Sequence, residues 1–419
     1  MLIEYTKGND YEVFSVEKID KKYFCHRCGN KYQKAFFKDQ LGVYCQRCLI
    51  FGKSSTYHKI YRKNRECHFI GEYGLKKVIN LSDIQKIASK KCVEAFNNGK
   101  NLLIYAVCGA GKTEIVYEVI LEALNKGKTV CFATPRKDVV LELVPRFKRD
   151  FYQVEIVSLY GESNEKGKVG NLYVSTTHQL INFYQYFDLV ILDEVDAFPY
   201  YNNKMLEGFV YKAKKLEAPI IFLTATPSKQ LKYMMNHKLI DYYIIPARFH
   251  KYPIPVPYVS LTHNTKKKIM MGKCPKKIYR WLYKRERQTF IFVPSIELGQ
   301  KLEEILGKLF YCKFVYAEMP NRKTLINQFR EKKIQFLITT TILERGVTVS
   351  NVDVCIINTD DEIFDERAIV QISGRAGRDV RYPVGDVYLF ADYYTRSIKG
   401  AIKTIKQMNK LTKKRQLLR

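Results

Sequence analysis

Carboxylates are in short supply in this chain, which sets 42 Asp and Glu against 71 Lys and Arg and carries a formal charge of +29. Such an imbalance argues for a polyanionic partner, because each neutralised phosphate releases condensed counterions. Anionic lipid is the competing polyanion, and charge alone does not separate the two. Long apolar runs are also missing. None approaches the ~18 residues that a bilayer-spanning helix needs, so a transmembrane segment is excluded. The opening MLIEYTKGNDYEVF carries acids and no apolar stretch, so it is not expected to act as a secretory leader. There is no internal repeat and no low-complexity tract. With 46% apolar and 27% charged residues over 419 positions, wholesale disorder is excluded and two or three domains are expected. The eleven cysteines are therefore expected in a reducing cytoplasm, where paired spacing means metal rather than disulfide.

What is present falls into three textures. Residues 1–74 are rich in Cys, Tyr and Lys. From Leu75 onward, short apolar runs that read as buried strands alternate with segments of helical period. That alternation predicts a doubly wound parallel sheet. Strands are expected at Asn101–Val107, Thr129–Ala133, Leu172–Ser175, Leu189–Leu192 and Ile220–Leu223. The proline-rich stretch Arg248–Leu261 reads as a linker. A second alternation follows, with strands at Thr289–Val293, Phe336–Thr339, Val354–Asn358 and Gly385–Phe390. The expected domains are a module over 1–74, a first α/β lobe over 75–250 and a second over 251–419. The basic segment Arg396–Arg419 predicts a helix that closes the second lobe, with Ile398, Ile402 and Ile405 on one face.

Cys25-His-Arg-Cys28 and Cys45-Gln-Arg-Cys48 are two CxxC hooks separated by sixteen residues. This is the spacing of a four-thiolate Zn²⁺ site, in which two tight turns converge on tetrahedral coordination. Two unrelated redox pairs are the competing reading. Four protein ligands leave no open position, so the expected site is structural and supplies folding energy to a small module. His26, His58, Cys67 and His68 are spare ligands nearby that the quartet does not need.

The run Asn101–Val107 leads into Cys108-Gly109-Ala110-Gly111-Lys112-Thr113 and then a helical pattern. A glycine-rich turn between strand and helix bares N–H groups of Gly109, Ala110 and Gly111 to phosphates. Lys112 would reach the β and γ phosphates of ATP, and the Thr113 hydroxyl would hold Mg²⁺. Ala106 stands where the usual pattern has its first glycine. About eighty residues on, Leu189–Leu192 ends in Asp193-Glu194. There Asp193 would coordinate Mg²⁺ and Glu194 would polarise the attacking water.

These residues resemble superfamily 2 helicases, from about Leu81 to Arg378. The resemblance implies that Gln85 reads adenine. It implies strand contacts from Arg136 in Ala133–Arg136 and from Thr177 and His178 in Thr176–Leu180. Further contacts would come from Ser295 in Phe292–Ser295 and Thr340 in Thr339–Thr348, while Thr224–Pro227 would couple ATP state to them. Gln371–Arg378 is similar to the motif whose arginines, here Arg375 and Arg378, meet the γ phosphate. The stretch after Arg345-Gly346 lacks the Asp of many RNA helicases, which argues against the RNA branch. A narrower resemblance, carried by the cysteine module, GAGKTE and Asp193–Tyr200 (DEVDAFPY), is to the late-competence ATPases of Gram-positive bacteria. It implies a cytoplasmic motor at the inner face of the membrane that draws in single-stranded DNA. Other competence proteins at a membrane channel would be its partners, and self-association is compatible with it.

Lys266–Arg287 interleaves ten basic residues with Tyr279, Trp281 and Tyr283. This suits a phosphate track with base stacking. A solvated helix with its aromatics on the core is the plainer expectation. Two other functions compete with the translocase: a helicase of replication restart or repair, and a nucleic-acid-binding scaffold whose ATP site only switches conformation. The first calls for a longer chain with a separating wedge. The second calls for eroded catalytic residues, whereas Lys112, Glu194, Arg375 and Arg378 are all present.

Overall fold

The computed structural model describes residues 2–66, 71–344 and 349–418. The chain divides into two compact units, Met1–Tyr105 with Lys112–Ile244, and Ala106–Gly111 with Ile245–Arg419.

The first unit is built on a seven-stranded sheet in the order Ile156–Leu159, Leu172–Thr176, Val130–Thr134, Leu189–Asp193, Ile220–Thr224, Leu102–Ala106, Asp241–Ile245. Its first six strands pair in parallel. Every residue of the five strands from Leu172–Thr176 to Leu102–Ala106 is buried, as expected where helices cover both faces. That is why LLIYA, VCFAT, LVILD and IIFLT read as continuous apolar runs. The helices Asp83–Asn97, Tyr117–Asn125, Lys137–Asp150 and Lys204–Ala213 each turn an apolar stripe inward. The edge strand Ile156–Leu159 and the outer strand Asp241–Ile245 were not foreseen from sequence.

The second unit carries a six-stranded parallel sheet. Its order is Tyr258–Leu261, Val387–Ala391, Val352–Ile357, Gln288–Phe292, Phe336–Thr339, Cys312–Val315. Two features depart from expectation. The last four residues of the presumed linker form the edge strand Tyr258–Leu261, with Tyr258 stacked on Tyr388 at 5.3 Å. A strand also forms at Cys312–Val315, on the opposite edge. Both strands are only four residues long, so their hydrophobic signal is weak. The basic C-terminal helix, Arg396–Lys414, buries Ile398, Ala401 and Ile405, and Thr412 Oγ1 donates to the Pro246 carbonyl at 2.8 Å. It packs on its own lobe with Ile398 and Ile405 inward as its period predicted, while Ile402 is only half-buried and Ala401 takes the inner place.

Ahead of the first lobe, Leu2–Thr6, Lys59–Asn64 and Tyr11–Phe14 form a small sheet with Lys59–Asn64 in the centre. Two hairpins hang from it, Val16–Ile19 with Lys22–Cys25 and Phe36–Asp39 with Gly42–Cys45. Each hairpin ends on the first cysteine of a hook. No helix among the described residues is long and apolar enough to cross a membrane.

Candidate nucleotide site and strand-binding face

The buried strand Leu102–Ala106 delivers its chain to a turn at Val107–Gly111, after which the helix Lys112–Ile115 begins. Gly109 and Gly111 have φ of 82° and 74°, where a side chain would be strained. Ala106, by contrast, is the last strand residue and fully buried. Its extended backbone suits any residue, which is why alanine serves where a glycine is usual. Lys112 and Thr113 stand half-buried at the start of the helix, where unpaired N–H groups suit an anion.

Two strands along in the same sheet, Leu189–Asp193 ends at the same, carboxyl edge, beyond Ile220–Thr224. Open α/β sheets bind ligands at that edge. Asp193 is buried, and its Oδ1 accepts from the Glu194 backbone N–H at 2.9 Å. Glu194 has φ of 55°, a left-handed conformation that costs a non-glycine residue about 1–3 kcal/mol and is found at functional turns. Two residues on, the buried Asp196 accepts from Thr224 Oγ1 at 2.7 Å and from Thr226 Oγ1. The carboxylate turn and the Thr224–Pro227 segment are thus one hydrogen-bonded unit. Gln85 is buried, and its Oε1 accepts from Ser82 N at 2.8 Å and Ser82 Oγ at 2.9 Å. That oxygen caps the helix Asp83–Asn97.

In the second unit, the helix Glu366–Ser373 starts on the Asp365 side chain, which accepts from the backbone of Arg367 and Ala368. It runs out into the turn that carries Arg375 and Arg378. Arg375 is buried and Arg378 exposed. Gly377 has φ of 61°, and a Cβ there would lie 2.4 Å from the Pro383 carbonyl oxygen, so only glycine fits. One residue of this site escaped sequence reading. Arg248, fully buried, donates from Nη1 to the carbonyls of Ala376 (2.9 Å) and Gly377 (2.7 Å) and from Nη2 to Gly374 (3.1 Å). Its guanidinium therefore shapes the arginine-bearing turn, and burial pulls its pKa down to about 10. The only available sequence signal was a charged residue opening an otherwise proline-rich stretch.

The four hook cysteines are buried, and their sulfurs lie within 4.8 Å of one another. Cys25 and Cys48 are 3.6 Å apart and Cys28 and Cys45 3.7 Å. A tetrahedron with Zn–S bonds of ~2.3 Å has edges of about 3.8 Å, so the donor set fits this ion. Asn30 Nδ2 points at Cys45 Sγ from 3.6 Å, a support for a thiolate. The spare ligands Cys67 and His68 lie outside the described residues. Cys92, Cys131 and Cys355 are core thiols whose pKa burial pushes up.

The DEAD/DEAH box helicase family matches residues 82–234, and the helicase conserved C-terminal domain matches 273–380. The competence protein ComFA of Bacillus subtilis is 41% identical over 99% of this chain and 92% of its own length. The chain belongs to the ComFA family. ComFA of Streptococcus pneumoniae is 36% identical over 94% of this chain and 92% of its own. Among solved structures, Saccharomyces cerevisiae Dbp5 bound to RNA and ADP BeF3 aligns with a TM-score of 0.56 at 16% identity, over 78% of this chain and 88% of that one. At that identity the likeness speaks for the fold alone. As a ComFA-family member the chain is an ATP-dependent, helicase-like motor, and helicases of the DEAD family use ATP with Mg²⁺.

The strand-contacting residues expected of this ComFA-family chain fall at loop and helix starts. Arg136 opens the helix Lys137–Asp150 and is half-buried. Thr177 is fully buried, whereas His178 is half-buried, its imidazole pKa held down by that burial. Ser295 caps Ile296–Leu306 through its Oγ, which accepts from Leu298 N at 3.2 Å. Thr340 follows the strand Phe336–Thr339 and is half-buried. Arg345–Thr348 of the same motif lie outside the described residues. In the basic stretch Lys266–Arg287, the helix Lys276–Tyr283 turns Ile278, Trp281 and Leu282 into the core, Trp281 resting on Tyr388 at 4.9 Å. Tyr283 stays exposed and stacks on Tyr279 at 6.1 Å.

Proposed function

We propose that this chain is a single-stranded-DNA-stimulated ATPase that translocates along one strand and drives DNA uptake in natural transformation. The observation that carries the reading is the Asp193–Glu194 turn, held in a strained backbone and tied through Asp196 to Thr224 and Thr226. A scaffold that only switches on ATP needs no positioned base, so this turn favours hydrolysis. The choice of DNA rests on the +29 charge and on relatives named as competence proteins.

In this reading Lys112 and the turn amides hold the β and γ phosphates, and Thr113 and Asp193 are the residues that would hold Mg²⁺. When bound, that ion neutralises phosphate charge. Glu194 orients the attacking water and takes its proton as the bond from the γ phosphorus to ADP breaks. Arg375 and Arg378 meet the charge that develops, a contribution of ~10³–10⁵ in rate for such a finger. Gln85 contacts the adenine. Arg136, His178, Ser295 and Thr340 carry the strand, the fully buried Thr177 acting by placing His178 beside it, and Asp196 passes the nucleotide state to Thr224–Pro227. Cys25, Cys28, Cys45 and Cys48 hold a structural Zn²⁺. The protein works in the cytoplasm at the inner face of the membrane, with other competence proteins of a DNA channel as partners.

The test is steady-state ATP hydrolysis alone and with single-stranded DNA, duplex DNA or RNA, with Lys112→Ala as control. Strong stimulation by single-stranded DNA over the others is expected. Equal stimulation by RNA would make it an RNA motor, and none by any nucleic acid would restore the scaffold.

A further inference from the structure

A buried lysine ties the cysteine module to the first lobe. Lys212, on the helix Lys204–Ala213, is buried and donates to three acceptors. These are Glu4 Oε1 (2.5 Å) in the first strand, the Arg27 carbonyl (2.8 Å) inside the first hook, and the Ile181 carbonyl (2.8 Å) just past His178. On the same helix, a Cβ at Gly208 would come within 2.9 Å of the Cys28 carbonyl oxygen, so the hook rests directly on it. The chain after His178 also extends the module: Tyr5 bridges to Phe183 in parallel, and Tyr184 N donates to Tyr5 O at 2.9 Å. The hook and the Thr176–Leu180 motif are thereby held in fixed register.

Along this junction lies a cavity of about 340 Å³. One wall is aromatic, made by Tyr5, Phe51 and Phe183. Phe51 reaches His178 at 6.0 Å, and the Arg65 guanidinium lies 4.0 Å over the Tyr5 ring. The rim is cationic, with Arg65, Lys166 and Lys168, the last also 3.4 Å from Glu165 Oε1, and none of the described lining residues carries a carboxylate. Gln179 and Asn182, from the segment that holds His178, add amides that can both donate and accept. Stacking rings, planar amides and clustered cations in one recess are what a nucleotide needs: a π-face for the base, hydrogen bonds for its edge and positive charge for the phosphate. The volume is at the small end of the ~300–1,000 Å³ range of ligand pockets, which admits one nucleotide and shuts out a duplex.

We propose that this recess takes one nucleotide of the translocating single strand, so that the cysteine module continues the strand path beyond Thr177 and His178. The inference rests on the reading of the chain as a single-strand motor. The test is fluorescence anisotropy of a labelled oligo(dT) on the full-length protein, titrated at several salt concentrations, for wild type, Lys166→Ala/Lys168→Ala and Arg65→Ala. Each lost phosphate contact lowers the slope of log K against log salt by ~0.7 for single strands. The double variant should therefore lose about 1.4 in slope and bind at least about tenfold more weakly. Both lysines are on an exposed loop, so misfolding does not intervene. Photocrosslinking of 5-iododeoxyuridine oligonucleotides to wild type should map to the peptides carrying Tyr5 or Phe51. Wild-type binding with unchanged slope in the double variant, or crosslinks confined to other segments, overturns the recess. Failure of wild type to bind any single strand overturns the motor reading instead.

Discussion

Glu194 and Arg248 show how much chemistry rests on single side chains in this family member. Glu194 is held in left-handed backbone at φ of 55°, so its carboxylate is aimed by the turn rather than by chance. Glu194→Gln keeps the size and removes the base, and turnover should fall by ~10²–10⁴. ATP-bound protein should then accumulate on DNA, visible as nucleotide-dependent retention of a labelled oligonucleotide; equal turnover by variant and wild type would remove Glu194 from the mechanism. Arg248 acts by position. Its truncation to alanine removes its donors from the Gly374 and Ala376 carbonyls, while the Gly377 carbonyl keeps His250 Nε2 at 3.1 Å. Arg248→Ala should cost about 3 kcal/mol of stability and lower kcat through a misplaced Arg375 turn. Arg248→Lys should rescue little, because an ammonium cannot fork across carbonyls as a guanidinium does. Thermal unfolding and kcat, measured on both variants, separate the two contributions.

At the scale of elements, the paired hairpins and the sheet edges carry the argument. Each hairpin is a few residues long and buries little, so the cysteine cluster at their open ends is their core. Serine at Cys25, Cys28, Cys45 or Cys48 should empty the site, with about one zinc per wild-type chain and none per variant by elemental analysis. The same change should loosen the module and expose it to protease, since a closed thiolate site contributes folding energy outright. Full metal content in a serine variant would mean that other ligands hold the ion. The strands Leu102–Ala106, Leu189–Asp193 and Ile220–Thr224 show the opposite economy: their apolar runs build the core while their last residues lead to the chemistry.

Over the whole molecule, the excess of 29 positive charges sets how the protein meets its partner. Affinity for single-stranded DNA should fall linearly with log salt. A site making six phosphate contacts would have a slope of about −4. Anisotropy titrations from low to physiological salt check this, and a flat profile would mean that charge is not what holds the strand.

Much of this was legible in the sequence, for a physical reason. Phosphate turns, carboxylate pairs and cysteine hooks are short-range chemistry, so Gly109–Thr113, Asp193-Glu194 and the two CxxC pairs stand complete in a few consecutive residues. Fully buried parallel strands are apolar throughout, so five in the first lobe announced themselves. The exposed edge strand Tyr258–Leu261 and the four-residue strand Cys312–Val315, interrupted by Lys313, lack that signal. Sheet order, the grip of Arg248 on carbonyls some 126 to 129 residues away and the three-way tether at Lys212 were beyond it altogether. Main-chain carbonyls are the same in every residue, so a side chain that binds them leaves no matching letter elsewhere in the chain. Local chemistry was determined by sequence alone; which distant backbone each buried cation meets, and the recess that results, were decided only by tertiary structure.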